Sequence, residues 1–454
     1  MKSADASHGE KTIKWWQLSL LGVACTIGTG FFLGSSIAIN MAGPSVVLAY
    51  VLAAIGTYVV FEALAKMTIA DPQKGSFRTY AKKAYGRWAG FSSGWVYWAS
   101  EMLIMGSQLT ALSIFTRLWF PNVPLWMLAS VYAVLGIIVV LLGSKGFDRI
   151  ENVLAVIKIA AIVMFIILAV LALFGVLNGG SPEKDTIPTS IPSLFPNGFT
   201  GFWSSLIFGF YGYAGIEIMG LLAVRLKKMT DAPKSGKVML LLLAVIYVSS
   251  IGLALTLVRW NHFSTEQSPF ITALADFNIP YIPHIFNGVF IIAGFSTMAA
   301  SLFAVTSILV TLAADRDAPA IFEKKIKNKV ALPAICLTTL GIIASIVLAL
   351  IMPERIYEYV TTAASLMLLY NWIFILCSYK RLTKLKAGDN VKRLLGLLLV
   401  LLGVSGTLFH HTSRPGFFVS LMFIIVIAIV TLIMRKHWKK EDDPTDKGTL
   451  FTKI

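Results

Sequence analysis

Among the ionisable side chains inside long apolar runs of this sequence are Glu62, Glu101, Lys158 and Glu217. A charge enclosed by apolar neighbours is costly, so each is a candidate for binding or proton exchange. Lys158, in ENVLAVIKIAAIVMFII, lies roughly 10 Å of helix rise past the polar start marked by Arg149 and Glu151. One reading is a lysine whose stem carries its ammonium back to the interface. The other is a lysine held in a protein cavity that binds and releases a proton, or whose fixed ammonium stands in for a sodium ion. Glu217 directly follows a glycine-rich stretch, where it either stabilises a reopened helix or responds to protonation. Glu62 and Lys66 have the i, i+4 spacing of an ion pair. Glu101, in YWASEMLIM, is either a pocket acid or a buried hydrogen-bonded one.

The backbone offers a second chemistry. Leu20 to Asn40 is long enough to cross a bilayer, yet has glycines at 22, 28, 30 and 34 with hydroxyls at Thr26 and Thr29. Glycine costs about 1 kcal/mol in a helix interior relative to alanine, so Thr26 to Gly30 is where this helix is expected to break. A break within an apolar span exposes amides and carbonyls, which is tolerated only against protein, water or a ligand. GFTGFWSSLIFGFYGYAGIEIMG repeats the pattern with Gly209, Gly212, Gly215 and Gly220. Small residues at such spacings also suit close helix packing. Their position favours a break, because the two runs are the first members of two five-helix halves, the pattern of an inverted-repeat transporter.

These residues must be positioned by membrane helices. Of 454 residues 57% are hydrophobic and 14% charged, and the mean hydropathy is +0.76, which excludes a disordered chain and a water-soluble domain. Apolar runs at 17–39, 44–68, 88–115, 124–143, 152–177, 199–222, 238–258, 284–313, 332–352, 356–378, 394–410 and 416–434 predict an all-α polytopic membrane protein with twelve transmembrane helices. The expected divisions are a terminal segment 1–16, a first repeat 17–177, a second repeat 199–378, two further helices across 394–434 and a tail 435–454. The first apolar run follows a polar lead and has full span length, so it is expected to stay in the mature protein. Arg117, Lys184, Arg259, Arg355 and Arg414 are the basic residues of one set of alternate loops, and nearly all the rest fall in the other set and the termini. The positive-inside rule then places both termini in the cytoplasm of a plasma-membrane protein. The net charge of +16 follows from this asymmetry, so it indicates anionic lipid at the surface and no nucleic acid.

Catalysis finds no support. TIGTGFFLG lacks the third glycine of a dinucleotide fingerprint, with leucine at position 33 and no strand before it. His410 and His411 are adjacent, and His262 and His284 fall in separate loops, so neither a metal nor a cofactor is expected. Cys25, Cys336 and Cys377 lie in apolar runs and read as small buried hydrophobes.

TIGTGFFLGSSIAINMAGPS together with FGFYGYAGIEIMG resembles the amino acid transporters of the amino acid, polyamine and organocation superfamily. SPFITALADFNIP at 268 to 280 and LAADRDAP at 312 to 319 extend the likeness, which covers the first ten helices. Lys158 falls where proton-coupled members carry a lysine in the fifth helix. The resemblance implies a five-plus-five inverted repeat with broken helices one and six and two C-terminal helices. It implies a substrate carboxylate on the amides of Gly28, Thr29 and Gly30, and a substrate ammonium on the carbonyls of Thr26, Tyr211 and Ala214, with Gly215 completing the second break. Tyr211 stands where relatives close an aromatic over substrate, and Tyr213 is a candidate for side-chain discrimination. Ser296, Thr297 and Ser301 are candidates to meet Lys158. Serine at 307 replaces an arginine of many relatives. The expected activity is proton-coupled uptake of amino acids by alternating access. An amino acid exchanger is the alternative within transport, and an ion channel or a nontransporting receptor are the alternatives outside it.

Overall fold

The computed structural model describes residues 13–180, 187–265, 267–277, 279–324, 331–351 and 356–441. Residues 1–12, Lys184, Met352, Arg355 and the end of the tail therefore lie outside the described residues, and with them parts of the expected terminal segments and loops. Among the described residues there is no strand, only one isolated bridge, so the fold is all-helical. The first apolar run becomes α1 (Trp15–Thr26), α2 (Thr29–Phe32) and α3 (Gly34–Ala42), broken at Ile27 and Gly28 inside the expected interval. There follow α4 (Val46–Ala70), the short amphipathic α5 (Ser76–Tyr85), α6 (Arg87–Arg117), α7 (Leu125–Leu141) and α8 (Gly143–Leu173). After the short α9 (Ile191–Leu194), the sixth run forms α10 (Gly198–Gly212) and α11 (Ile216–Leu222), separated at Tyr213 to Gly215. Then come α12 (Ala232–Leu257), α13 (Pro269–Leu274), α14 (Ile282–Ala314), α15 (Leu332–Ile351), α16 (Ile356–Leu382), α17 (Ala387–Gly406) and α18 (Arg414–Glu441).

Each of the expected apolar runs thus forms helix over most of its described length, the first and sixth in separate pieces. By length and hydropathy, 7 helices among the described residues can cross a membrane. The breaks explain part of the difference from twelve, since α1 alone has only 12 residues. The outer faces of α7, α12 and α18 expose Val131, Leu135, Val245, Ile425, Ile429 and Ile433, an apolar surface that suits a bilayer. Cys336 is also exposed on α15, against the expectation of burial, while Cys25 is buried.

At the centre, α6 packs against α14 and α16, and small residues let them approach. Ser93 Oγ donates to Asn371 Oδ1 at 2.7 Å and Ser100 Oγ to the Ala364 carbonyl at 3.0 Å. The piece of span after the first break is held by aromatics: Phe31 of α2 stacks on Tyr247 of α12 at 3.8 Å between ring centroids and 12° between planes. Such pairs add about 0.5–1.5 kcal/mol beyond area burial. The start of α1 is tied to the end of the sixth run, because Ile13 N donates to the Arg225 carbonyl at 3.1 Å and Lys227 N to the Ile13 carbonyl at 2.9 Å. Lys66 bridges Glu62 at 3.0 Å, as its spacing predicts, and also reaches Asp389 of α17 at 2.9 Å.

The same end of the bundle has a buried ion network. Arg78 of α5 reaches Asp315 at 2.8 Å and Asp317 at 2.6 Å, while Arg87 reaches Asp317 at 2.8 Å. Asp315 and Asp317 follow α14 in the LAADRDAP stretch, so the network clamps α5 to the foot of α14. Burial works against the charge of Asp315, but its bond to Lys82 and the attraction of Arg78 outweigh this and hold its carboxyl below the ordinary carboxylate range. A lowered carboxylate stabilises the fold above about pH 4, and that contribution is lost as pH falls through the folded value. Arg78→Ala should cost about 1.5–3 kcal/mol, because it removes a charged hydrogen bond from the buried Asp317 and leaves that carboxylate with Arg87 alone. Melting curves of the detergent-solubilised protein check this. In the same assay, Asp315→Asn should weaken the acid-side fall in melting temperature.

Candidate functional site

The first break frees carbonyls at the end of α1. Ile27 N is the last amide to reach back into the helix, donating to the Val23 carbonyl at 2.9 Å. In an unbroken helix the Ala24 carbonyl would receive the amide of Gly28, but Gly28 is extended and caps α2 instead. Its own carbonyl accepts from Phe31 N at 3.0 Å and Phe32 N at 3.1 Å. The amides of Thr29 and Gly30 open α2 and have no intrahelical acceptor by geometry. Thr26 Oγ1 bonds back to the Gly22 carbonyl at 2.8 Å, and the Thr29 carbonyl receives the Tyr357 hydroxyl at 3.0 Å.

The second break needs glycine at 215 for two reasons. Its φ is +107, and a Cβ there would come within 2.7 Å of the Cys25 carbonyl oxygen. The two breaks therefore touch. Gly215 N donates to Glu217 Oε2 at 3.1 Å, and Glu217 Oε1 accepts from Trp372 Nε1. Glu217 is fully buried and does not line the cavity described below, so it holds the second break together. Tyr211 sits in the last turn of α10, where its carbonyl already accepts Ala214 N at 3.1 Å and its hydroxyl pairs with Ser107 at 2.8 Å. Tyr213 turns away from the cavity and packs among Tyr50 and Tyr247, so its ring does not face a ligand.

A cavity lies between the breaks. Gly28, Gly30, Tyr211, Thr297, Ser301 and Glu101 contribute to its wall, together with Thr26, Ala214 and Gly215. Its free space is about 20 Å³, room for a water or two and too little for an amino acid, so this conformation is closed down. Gln108 also lines it, two turns along α6 from Glu101, and both Glu101 Oε2 and Gln108 Oε1 are buried without a hydrogen-bond partner. Ile104 and Ile218 supply apolar wall. A larger cavity of about 190 Å³ between α6, α7 and α15 is nearly all apolar and lacks the converging polar groups of a recognition site.

Behind the first break stands Lys158. It is fully buried, and its Nζ donates to the Ala24 carbonyl at 2.5 Å. This rules out the reading in which its ammonium returns to the interface. It also differs from the expectation that α14 hydroxyls would meet it. Ser296 Oγ donates to Glu151 Oε2 at 2.5 Å, and Thr297 bonds its own helix at Gly294, 3.0 Å away. Ser301 faces Glu101 instead. The reason is geometric: the ammonium goes to the carbonyl the break has left open. Glu151, fully buried and two turns before Lys158 on the same face of α8, is the functional candidate that residue types alone did not single out. Its spacing from Lys158 is the signal that could have found it. Among the described residues no cluster of His, Cys, Asp or Glu could hold a metal ion.

Two broken helices meeting over a small polar cavity, inside an all-helical bundle with an apolar exterior, define an integral membrane transport protein. Comparison with known sequences makes the class specific: residues 17–446 match the amino acid permease family. The chain belongs to that family, within the amino acid, polyamine and organocation superfamily, and is an amino acid transporter with no enzymatic activity. It is 56% identical over 444 residues to an uncharacterised transporter, YcgH, of Bacillus subtilis (strain 168), covering 98% of this chain and 99% of the relative. It is 30% identical to the aromatic amino acid transport protein AroP of Corynebacterium glutamicum, across 82% of each chain. It is 28% identical to a probable threonine/serine transporter, YbxG, of Bacillus subtilis (strain 168), across 91% of this chain and 92% of the relative.

At Gly30 the cavity wall has no room for a side chain unless a neighbour shifts. A Cβ there would come within 2.8 Å of the Tyr211 ring and 3.2 Å of its carbonyl oxygen. Gly30→Val should weaken binding of every amino acid substrate alike, by about tenfold or more, equivalent to about 1.4 kcal/mol. Equilibrium binding of several amino acids to the purified variant measures this, and a loss confined to one side-chain class would count against a shared backbone contact.

Proposed function

We propose that this chain takes up amino acids across the cytoplasmic membrane together with protons, by alternating access around the cavity between the two breaks. The observation that carries the reading is the buried Lys158 ammonium on the Ala24 carbonyl, which links a titratable group to the backbone that forms the site. The amides of Gly28, Thr29 and Gly30 bind the substrate carboxylate, and the carbonyls of Thr26, Tyr211 and Ala214 receive its ammonium. Tyr211 closes over the bound substrate. Thr297, Ser301 and Glu101 face it from α14 and α6. Loss of the Lys158 proton turns a charged hydrogen bond to the Ala24 carbonyl into a weaker neutral one and loosens the break, so proton release and substrate release go together. Glu217 maintains the second break through the cycle.

In this reading residues 17–177 and 199–378 are inverted five-helix repeats, and 394–434 adds two helices to make twelve spans. The segments 1–16 and 435–454 lie in the cytoplasm. The shared family and the relatives described as carrying aromatic amino acids or threonine and serine support an amino acid as cargo.

The test uses the purified protein in proteoliposomes, with all twenty amino acids in competition at two external pH values. Uptake should rise with an inward proton gradient. Lys158→Ala should abolish gradient-driven accumulation, a loss of about tenfold or more, while leaving measurable substrate binding. Counterflow without any response to the gradient would identify an exchanger instead.

A further inference from the structure

Glu151 does not line the cavity and takes no part in the proposed substrate contacts. Its side chain is fully buried in α8. One carboxylate oxygen accepts the Ser296 hydroxyl at 2.5 Å, and the other, Oε1, is buried with no hydrogen-bond partner. Its charge attracts Lys158, two turns further along the same helix face. Lysine side chains in a helix lean toward its N-terminus, which is the direction of Glu151. Of the elements packed on α8, α1 adds Cys25 as a titratable neighbour of Lys158 and α14 adds the neutral Ser296, while no charged group of α7, α12 or α13 acts on the pair among the described residues. A buried carboxylate with an open lone pair, two turns from one buried ammonium on the same helix face, is placed to act as the counter-charge of that ammonium.

We propose that Glu151 is the positioning residue of proton coupling: it holds Lys158 protonated against the Ala24 carbonyl, and receives its proton on the way to the cytoplasm. This rests on the reading of Lys158 as the proton carrier. In the step itself an N–H bond of the ammonium breaks and, by relay through a water molecule between the two groups, an O–H bond forms on Glu151, leaving a neutral amine and a carboxylic acid. The acid then passes the proton to water on the side where α8 begins, and Glu151 returns to the carboxylate. Ser296 of α14 orients the accepting group throughout. Because α14 also carries Thr297 and Ser301 at the cavity, movement of α14 during substrate release shifts the hydrogen bond on Glu151 at the same time.

The experiment compares wild type, Glu151→Gln, Glu151→Asp and Lys158→Ala in proteoliposomes, using a tritium-labelled mixture of the twenty amino acids. Two readings are taken on each: accumulation driven by an inward proton gradient across external pH 5 to 8, and counterflow with no gradient. Glu151→Gln should keep counterflow within about threefold of wild type, lose gradient-driven accumulation by about tenfold or more, and flatten its pH profile. Glu151→Asp should restore most of the accumulation. If Glu151→Gln accumulates as wild type does while Lys158→Ala does not, Glu151 has no part in coupling and the lysine reading stands. If Glu151→Gln loses counterflow and accumulation in parallel, the residue only supports the fold, and the proposal falls. Full accumulation by Lys158→Ala would instead overturn the lysine reading beneath it.

Discussion

A backbone carbonyl or amide buried away from water must find a partner, and the rest of this structure follows from the places where that requirement is hardest to meet. Breaking α1 after Thr26 leaves carbonyls with no helical donor in an apolar interior. The Lys158 ammonium takes the one at Ala24. Gly215 presses on the one at Cys25, and only glycine fits there. On the far side of the gap, the Tyr357 hydroxyl reaches the Thr29 carbonyl. The amide at the second break is bound by Glu217, itself bound by Trp372. The Ala24 and Thr29 carbonyls are thus braced by side chains from other helices, and the Gly215 amide by a carboxylate two residues further along its own span. A site made in this way recognises the parts that all amino acids share, since peptide groups carry no side-chain information.

The buried charges fall at two levels of the bundle, and one helix joins them. At mid-height, Lys158 and Glu151 lie against α1 and α14. At the foot of α14, Arg78 and Arg87 hold Asp315 and Asp317. Between the levels, α14 runs continuously for 33 residues, and its serines and threonines meet both the cavity wall and the Glu151 carboxylate. The ion network thus fixes the foot of the same helix whose middle lines the cavity.

The closed cavity has a related explanation. The Tyr211 hydroxyl reaches across to Ser107 on α6, and its ring covers Gly30. With no side chain on Gly30, the ring settles close to the backbone and the free space shrinks to water size. Glu101 and Gln108 nonetheless line it and each keeps an unpartnered buried oxygen, so polar capacity remains where apolar packing alone would have filled the gap.

Much of this was legible in the amino-acid order alone. The apolar runs form helix over most of their described length, the glycine cluster from Thr26 to Gly30 marks the first break, and Glu62 pairs with Lys66 at the spacing a helix sets. These are local properties: hydrophobic length, glycine's weak hold on a helix and i, i+4 neighbours all act within a few residues. The tertiary structure alone decided what faces what. It directed Lys158 to the carbonyl of Ala24, gave Ser296 to Glu151, turned Tyr213 into an aromatic cluster away from the cavity and left Cys336 on the outer surface. Periodicity shows which side chains share a helix face, but the neighbour that face meets depends on how helices far apart in the chain pack together. That choice is settled by the fit of whole surfaces and by the gain from pairing most buried polar groups, and neither is written in any single stretch of residues.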